Sequence, residues 1–160
     1  MKGLNMVKRV SLLALLTAIS LGVTAPATAQ SDTQVCQAFG NFGGIVTDYI
    51  LPLSVKDFAS MNAGKNQSLA QGIVAKIDRE LTQADKQALT QIGDENAALL
   101  EEAAADFAMD LTLTAQVQDR HAAANIMRQE CLRTTPRRIV EIQRSSYQNQ
   151  GENAPQGTTR

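Results

Sequence analysis

The sequence predicts an all-α protein: a single-domain bundle of five or six helices, with one long central helix and one disulfide. Three observations carry that expectation. Between Ser31 and Tyr147, apolar residues recur at spacings of three and four, the period of a helix with a buried face. The same stretch is dominated by Ala, Leu, Gln, Glu and Lys, which lose little freedom in a helix. No run alternates β-branched residues as a half-buried strand does.

The first helix opens at Ser31 or Asp32, either of which can cap it. It runs to about Leu51, where Pro52 stops it. Val35, Phe39, Phe42, Val46, Tyr49 and Ile50 form an apolar stripe. Cys36, Gly40, Gly43 and Thr47 form a second stripe, of small residues, along which another helix backbone can approach closely. Glycines cost a helix about 1 kcal/mol each, so a break at Gly40 to Gly44 is the competing reading; a continuous helix is the expectation. Ser54 with Asp57 caps a short second helix ending near Gly64, and Ser68 with Gln71 is a capping box for a third. Leu69, Ile73, Val74, Ile77 and Leu81 lie on one face of that third helix. Thr82 with Asp85 begins a fourth, which ends at Gly93.

Asp94 then caps the longest predicted element, which continues to about Thr134. Leu100, Ala104, Phe107 and Leu111 lie on one side of it, Leu113 and Val117 on another. A helix apolar on several faces belongs at the centre of its bundle. The β-branched Thr112 and Thr114 are placed to bend it. Thr135 and Pro136 stop the chain and restart it, with Pro at the first position of a last helix that carries Ile139, Val140, Ile142 and Tyr147. From about Gln148 the sequence is polar, with nothing to bury, and predicts a disordered tail over 148–160.

The amino-terminal segment has a different logic. Lys2, Lys8 and Arg9 precede an uncharged, Leu-rich run from Val10 to Val23, then Ala27-Thr28-Ala29. That order predicts a signal peptide over 1–29, cleaved after Ala29. The run is too short for a spanning helix, which needs about 20 apolar residues. Cleavage removes three of the 15 basic residues and none of the 16 acidic ones, leaving 30–147 as one domain in a chain of net charge near −4. Such a chain lacks the basic footprint of a nucleic-acid or anionic-membrane binder. Two cysteines, Cys36 and Cys131, follow the leader. An even count in an exported chain predicts that they are bonded to each other; two separate buried thiols are the alternative.

The candidates for chemistry are few. His121 is the only histidine, so a zinc site lacks its ligands, and a catalytic role needs a carboxylate such as Glu130 beside it. Glu102, Asp106 and Asp110, spaced four apart, could hold a hard cation or dock a basic partner. A solvated face matched to the helix dipole explains the same stripe. Arg133, Arg137, Arg138 and Arg144 could bind an anion or an acidic partner, or pair with Glu130 and Glu141, or with the acidic stripe if the bundle folds back. Gly40 to Gly44 lacks the Lys-Ser/Thr pair of a phosphate loop, and no hydrolase, zinc-protease, EF-hand or haem-attachment pattern occurs.

Leu81-Thr82-Gln83-Ala84-Asp85 and Leu113-Thr114-Ala115-Gln116 partly resemble the Leu-Thr-x-x-Gln repeats of helical periplasmic stress chaperones. Asp85 stands where that pattern has glutamine. Gln116 comes one residue early, with Val117 in its place, and the cysteines have no counterpart. The resemblance covers under a tenth of the chain and assigns no family. The expected function is that of a periplasmic or secreted, non-enzymatic binding or chaperone-like module without a cofactor. The alternatives are a self-associating structural protein and, last, an enzyme centred on His121.

Overall fold

In the computed structural model, residues 32–62 and 65–152 are described. The predicted leader, Gly64 and residues 153–160 lie outside them. Seven helices and no strand occur among the described residues: α1 (Asp32–Ile50), α2 (Val55–Asn62), α3 (Gln67–Glu80), α4 (Gln83–Thr90), α5 (Asp94–Leu113), α6 (Arg120–Thr134) and α7 (Pro136–Glu152). The all-α expectation holds, with more helices than the five or six predicted.

The extra helix comes from a correction. The predicted long helix, Asp94 to Thr134, is two helices, and the centre of the bundle belongs to α1. Helix α5 stops in a left-handed turn. Ala115 takes φ 53°, its N–H donates to Thr112 O, and Gln116 N–H donates to Leu111 O. This pairing satisfies the last carbonyls of a helix when the next residue turns left-handed. The Thr112 and Thr114 hydroxyls donate to Ala108 O and Asp110 O, four residues back, and help to close the turn. Asp119 then starts α6 as its N-cap, accepting from Ala122 N–H at 2.8 Å. The expected bend at the threonines is thus a full break. Asp119→Ala should cost about 1 kcal/mol, read as a lower urea midpoint with an unchanged slope; an unchanged midpoint would refute the capping role.

Helix α1 is buried from Val35 through Thr47 except at Gln37 and Asn41, because α3, α4, α5, α6 and α7 all pack on it. It is unbroken at Gly40 to Gly44. Glycine's helix penalty is offset there by a close helix contact. A Cβ on Gly40 would lie 2.5 Å from Ala124 O, and one on Gly44 would lie 2.9 Å from Arg120 O. The partners descend along α6 as α1 ascends, so the two helices run antiparallel. Gly43 makes room for the end of the Met127 side chain. Small residues are therefore required where the sequence placed them, with Gly44 added to the stripe. At the other end of α6, Cys131 is bonded to Cys36, with Cα atoms 5.3 Å apart.

The remaining boundaries differ in small ways. Ser54 Oγ accepts from Asp57 N–H, and Thr82 Oγ1 from Asp85 N–H, as predicted. Helix α3 starts two residues early. Asn66, and not Ser68, caps it by accepting from Leu69 N–H, while the Ser68 hydroxyl donates to the same Asn66 oxygen. Gly93, at φ 92°, precedes α5, so Asp94 lies inside the first turn, where its charge favours the dipole. Helix α7 continues past Tyr147 to Glu152. Polar residues there end its buried face without ending its hydrogen bonding.

Candidate functional site

The acidic stripe lies along α5, and α7 covers its first part. Arg144 donates to Glu95 and Asn96, and the Tyr147 hydroxyl donates to Glu102 Oε1. The partners advance together along both helices, so α7 runs parallel to α5. Glu102 keeps its other oxygen, Oε2, buried without a hydrogen-bond partner. Asp106 is half-buried and engaged, and Asp110 is exposed. No group of three or more His, Cys, Asp or Glu among the described residues is arranged to hold a metal ion.

Arg133, Arg137 and Arg138 bond to carboxylates of their own helices. Arg133 bonds to Glu130 through two nitrogens, at 2.6 and 3.1 Å. Arg137 and Arg138 both reach Glu141, at 3.3 and 3.2 Å. Hydrogen bonds from Arg133 and from Arg138 hold Glu130 and Glu141 below the usual carboxylate range. These are exposed pairs within single helices, where solvent screens most of the attraction. His121 is exposed, one residue into α6. Glu130, the carboxylate a catalytic role needed beside it, is bonded to Arg133 and Thr134 instead.

The structure brings together polar groups that the sequence did not single out. Lys76 on α3 bridges Asp48 on α1 and its own Glu80, each at 2.9 Å, and Glu80 also pairs with Arg120 on α6. The Lys76 hydrogen bond first, and that of Arg120 next, hold the Glu80 carboxyl down to about 2. The buried Asp85 accepts from Asn41 Nδ2 and from the Thr82 hydroxyl, tying α4 to α1. Arg128 continues this chain through Gln37 to Asn41. Both clusters join helices, and each carboxylate in them is satisfied by donors of the same chain.

Glu101 is the exception. It is half-buried beside the Leu100–Ala104–Ala108 stripe, and no hydrogen bond or ion pair engages it among the described residues. Burial alone pushes its carboxyl up to about 7. The unfolded chain releases that proton near 4.5, so Glu101 makes stability fall as pH rises from about 4.5 to about 7. Allowing for its partial exposure, the effect is about 1–2 kcal/mol. Glu101→Gln should therefore raise the melting temperature over wild type at pH 8 and leave it nearly level at pH 4.5. Equal differences at both pH values would sink this assignment. Glu80 acts with the opposite sign: its contribution is present above about 4.5 and lost as pH falls towards about 2.

No family model matches the chain, and no curated protein or solved structure is similar to it. Val55 on α2, Leu113 at the end of α5 and Ile142 on α7 are 88%, 64% and 51% exposed. Helix α2 lies outermost and packs chiefly on α3, with Phe58 half-buried.

Proposed function

We propose that this chain is an exported, non-enzymatic binding module that offers apolar helix surface to partner proteins in a chaperone-like way. The observation that carries the reading is the outward placement of Val55, Leu113 and Ile142 on three different helices. Fully burying such a side chain against a partner is worth about 1.5–3 kcal/mol. Arg133 and Arg137 already pair with Glu130 and Glu141 on their own helices. Export is supported by the leader pattern and by a disulfide of the kind that persists in oxidising compartments. Self-association is less well supported, because α6 covers the small-residue stripe of α1 on which it relied.

Two measurements test the reading. Protein recovered from the native envelope should begin at Gln30 by mass spectrometry; an intact leader would remove export. The purified protein should suppress light scattering from a heat-unfolding client enzyme, and the Val55→Asp/Leu113→Asp variant should suppress it less. Both altered positions face solvent, so folding is expected to survive the change. No suppression by wild type in excess, or equal suppression by the variant, would remove the binding role.

A further inference from the structure

We propose that the Cys36–Cys131 bond is made on the open chain by an external disulfide donor, and that docking of α1 against α6 then seals it. Both cysteines are 0% exposed. They are 95 residues apart in sequence, so they meet only when the first and sixth helices come together. One turn from Cys36, Gly40 lies against the Ala124 backbone with no room for a methyl group. One turn from Cys131, Met127 is fully buried over Gly43. Val35 and Phe39 are buried in the same cluster.

Thiol–disulfide exchange needs an incoming sulfur to reach the attacked sulfur directly. With both sulfurs under this packing, no donor reaches them once the helices have docked. The order of events follows. A thiolate of one cysteine attacks the donor's disulfide and releases one donor sulfur as a thiolate. The second cysteine's thiolate then attacks the protein sulfur of the mixed disulfide, which forms the Cys36–Cys131 bond, breaks the protein–donor bond and releases the second donor sulfur as a thiolate. Two protons go to solvent, two electrons go to the donor, and the donor leaves fully reduced. The donor is either a small-molecule disulfide or a protein of the dithiol–disulfide oxidant class, and a protein needs the wider opening. The inference takes only the oxidising compartment from the functional reading, and its test uses purified protein, so it can fail while that reading stands, and the reverse.

Opening of the first turn of α1, where Asp32, Thr33 and Gln34 are exposed, or of the last turn of α6, where Leu132 and Arg133 are exposed, is the local route to the bond. The experiment asks whether that route suffices. Native, oxidised protein is exposed to excess dithiothreitol, and freed thiols are trapped with a maleimide and counted by mass. Reduction should be at least about a hundredfold slower than for the chain unfolded in guanidinium. A native rate within about tenfold of the unfolded one would overturn the proposal. In a second arm, reduced and unfolded chain is diluted into buffer with oxidised glutathione, or an oxidised thioredoxin-fold protein, added at once or after a delay. Prompt donor should form the bond fully. Delayed donor should be slower by about tenfold or more, most of all for the protein donor. A reduced chain that stays unfolded by circular dichroism supports the same order, since docking then requires the bond. A reduced chain that folds and still oxidises at the prompt rate overturns it.

Discussion

Replacing Cys36 and Cys131 together with alanine should lower stability by about 4 kcal/mol, and the melting temperature by roughly 12–20 °C. The bond joins residues 95 apart, so in its absence the unfolded chain regains the freedom of a loop that spans most of the domain. The chain-entropy treatment assigns a loop of that size roughly 4–5 kcal/mol. Alanine is the cleaner replacement. Both positions are 0% exposed, and paired serines would add buried hydroxyls at about 1–3 kcal/mol each where unsatisfied. Helical circular dichroism at low temperature should be kept, because the α1–α6 seam also rests on the glycine contacts and the buried Phe39, Phe42 and Met127. Urea denaturation of the two forms measures the difference. A loss below about 1 kcal/mol would show that the unfolded chain is already confined without the bond.

How much of this was legible beforehand depends on the range of each interaction. The caps at Ser54 and Thr82, the stop at Pro52 and the Pro136 restart are local, and the sequence places them correctly. The disulfide was legible from the even cysteine count behind a leader-like pattern. The close α1–α6 approach was legible because only small residues permit it. The break after Leu113 was not, because the apolar periodicity of Ala104, Ala108 and Leu111 before it continues in Val117 and Ala123 after it. Asp119 was its one sequence signal, an N-cap hidden inside a helical pattern. The placement of α1 at the centre was missed for a related reason. Close approach at its glycines is a tertiary contact, and it lets α6 lie directly against α1 among five neighbours.

The charged residues divide in the same way. Arg133 with Glu130 and Arg137 with Glu141 follow from helical spacing alone. Tyr147 with Glu102, Lys76 with Asp48 and Asn41 with Asp85 depend on which helix faces meet, and spacing within one helix carries no trace of that. Glu101 sits one residue beyond the buried Leu100, on the flank of a stripe whose width is set by its neighbours. Sequence marked Glu102, Asp106 and Asp110 because they repeat, whereas the carboxyl that burial raises, Glu101, lies outside that repeat.

Gly40→Ala should destabilise the protein by about 2–4 kcal/mol, although the same change in an exposed helix stabilises by about 1 kcal/mol. The added methyl would lie 2.5 Å from Ala124 O and 3.1 Å from Arg128 Cβ. Ala124 O is backbone, so relief requires α1 and α6 to separate, and the disulfide one turn away holds them together. The neighbouring glycines provide internal controls. At Gly44 the added methyl would lie 2.9 Å from Arg120 O and 3.0 Å from Ala124 Cβ, so the cost should be comparable or slightly smaller. At Gly43 the obstacle is the mobile end of Met127, and Gly43→Ala should be partly rescued by Met127→Ala, which leaves space for the methyl. Urea midpoints rank the three. A rise in stability for Gly40→Ala would mean that the helices are not in backbone contact there. The decisive comparison repeats Gly40→Ala in the Cys36→Ala/Cys131→Ala background. If the bond is what forces the clash, the penalty should shrink by about 1 kcal/mol or more once the helices are free to part; equal penalties in both backgrounds would place the rigidity in the packing of α6 instead.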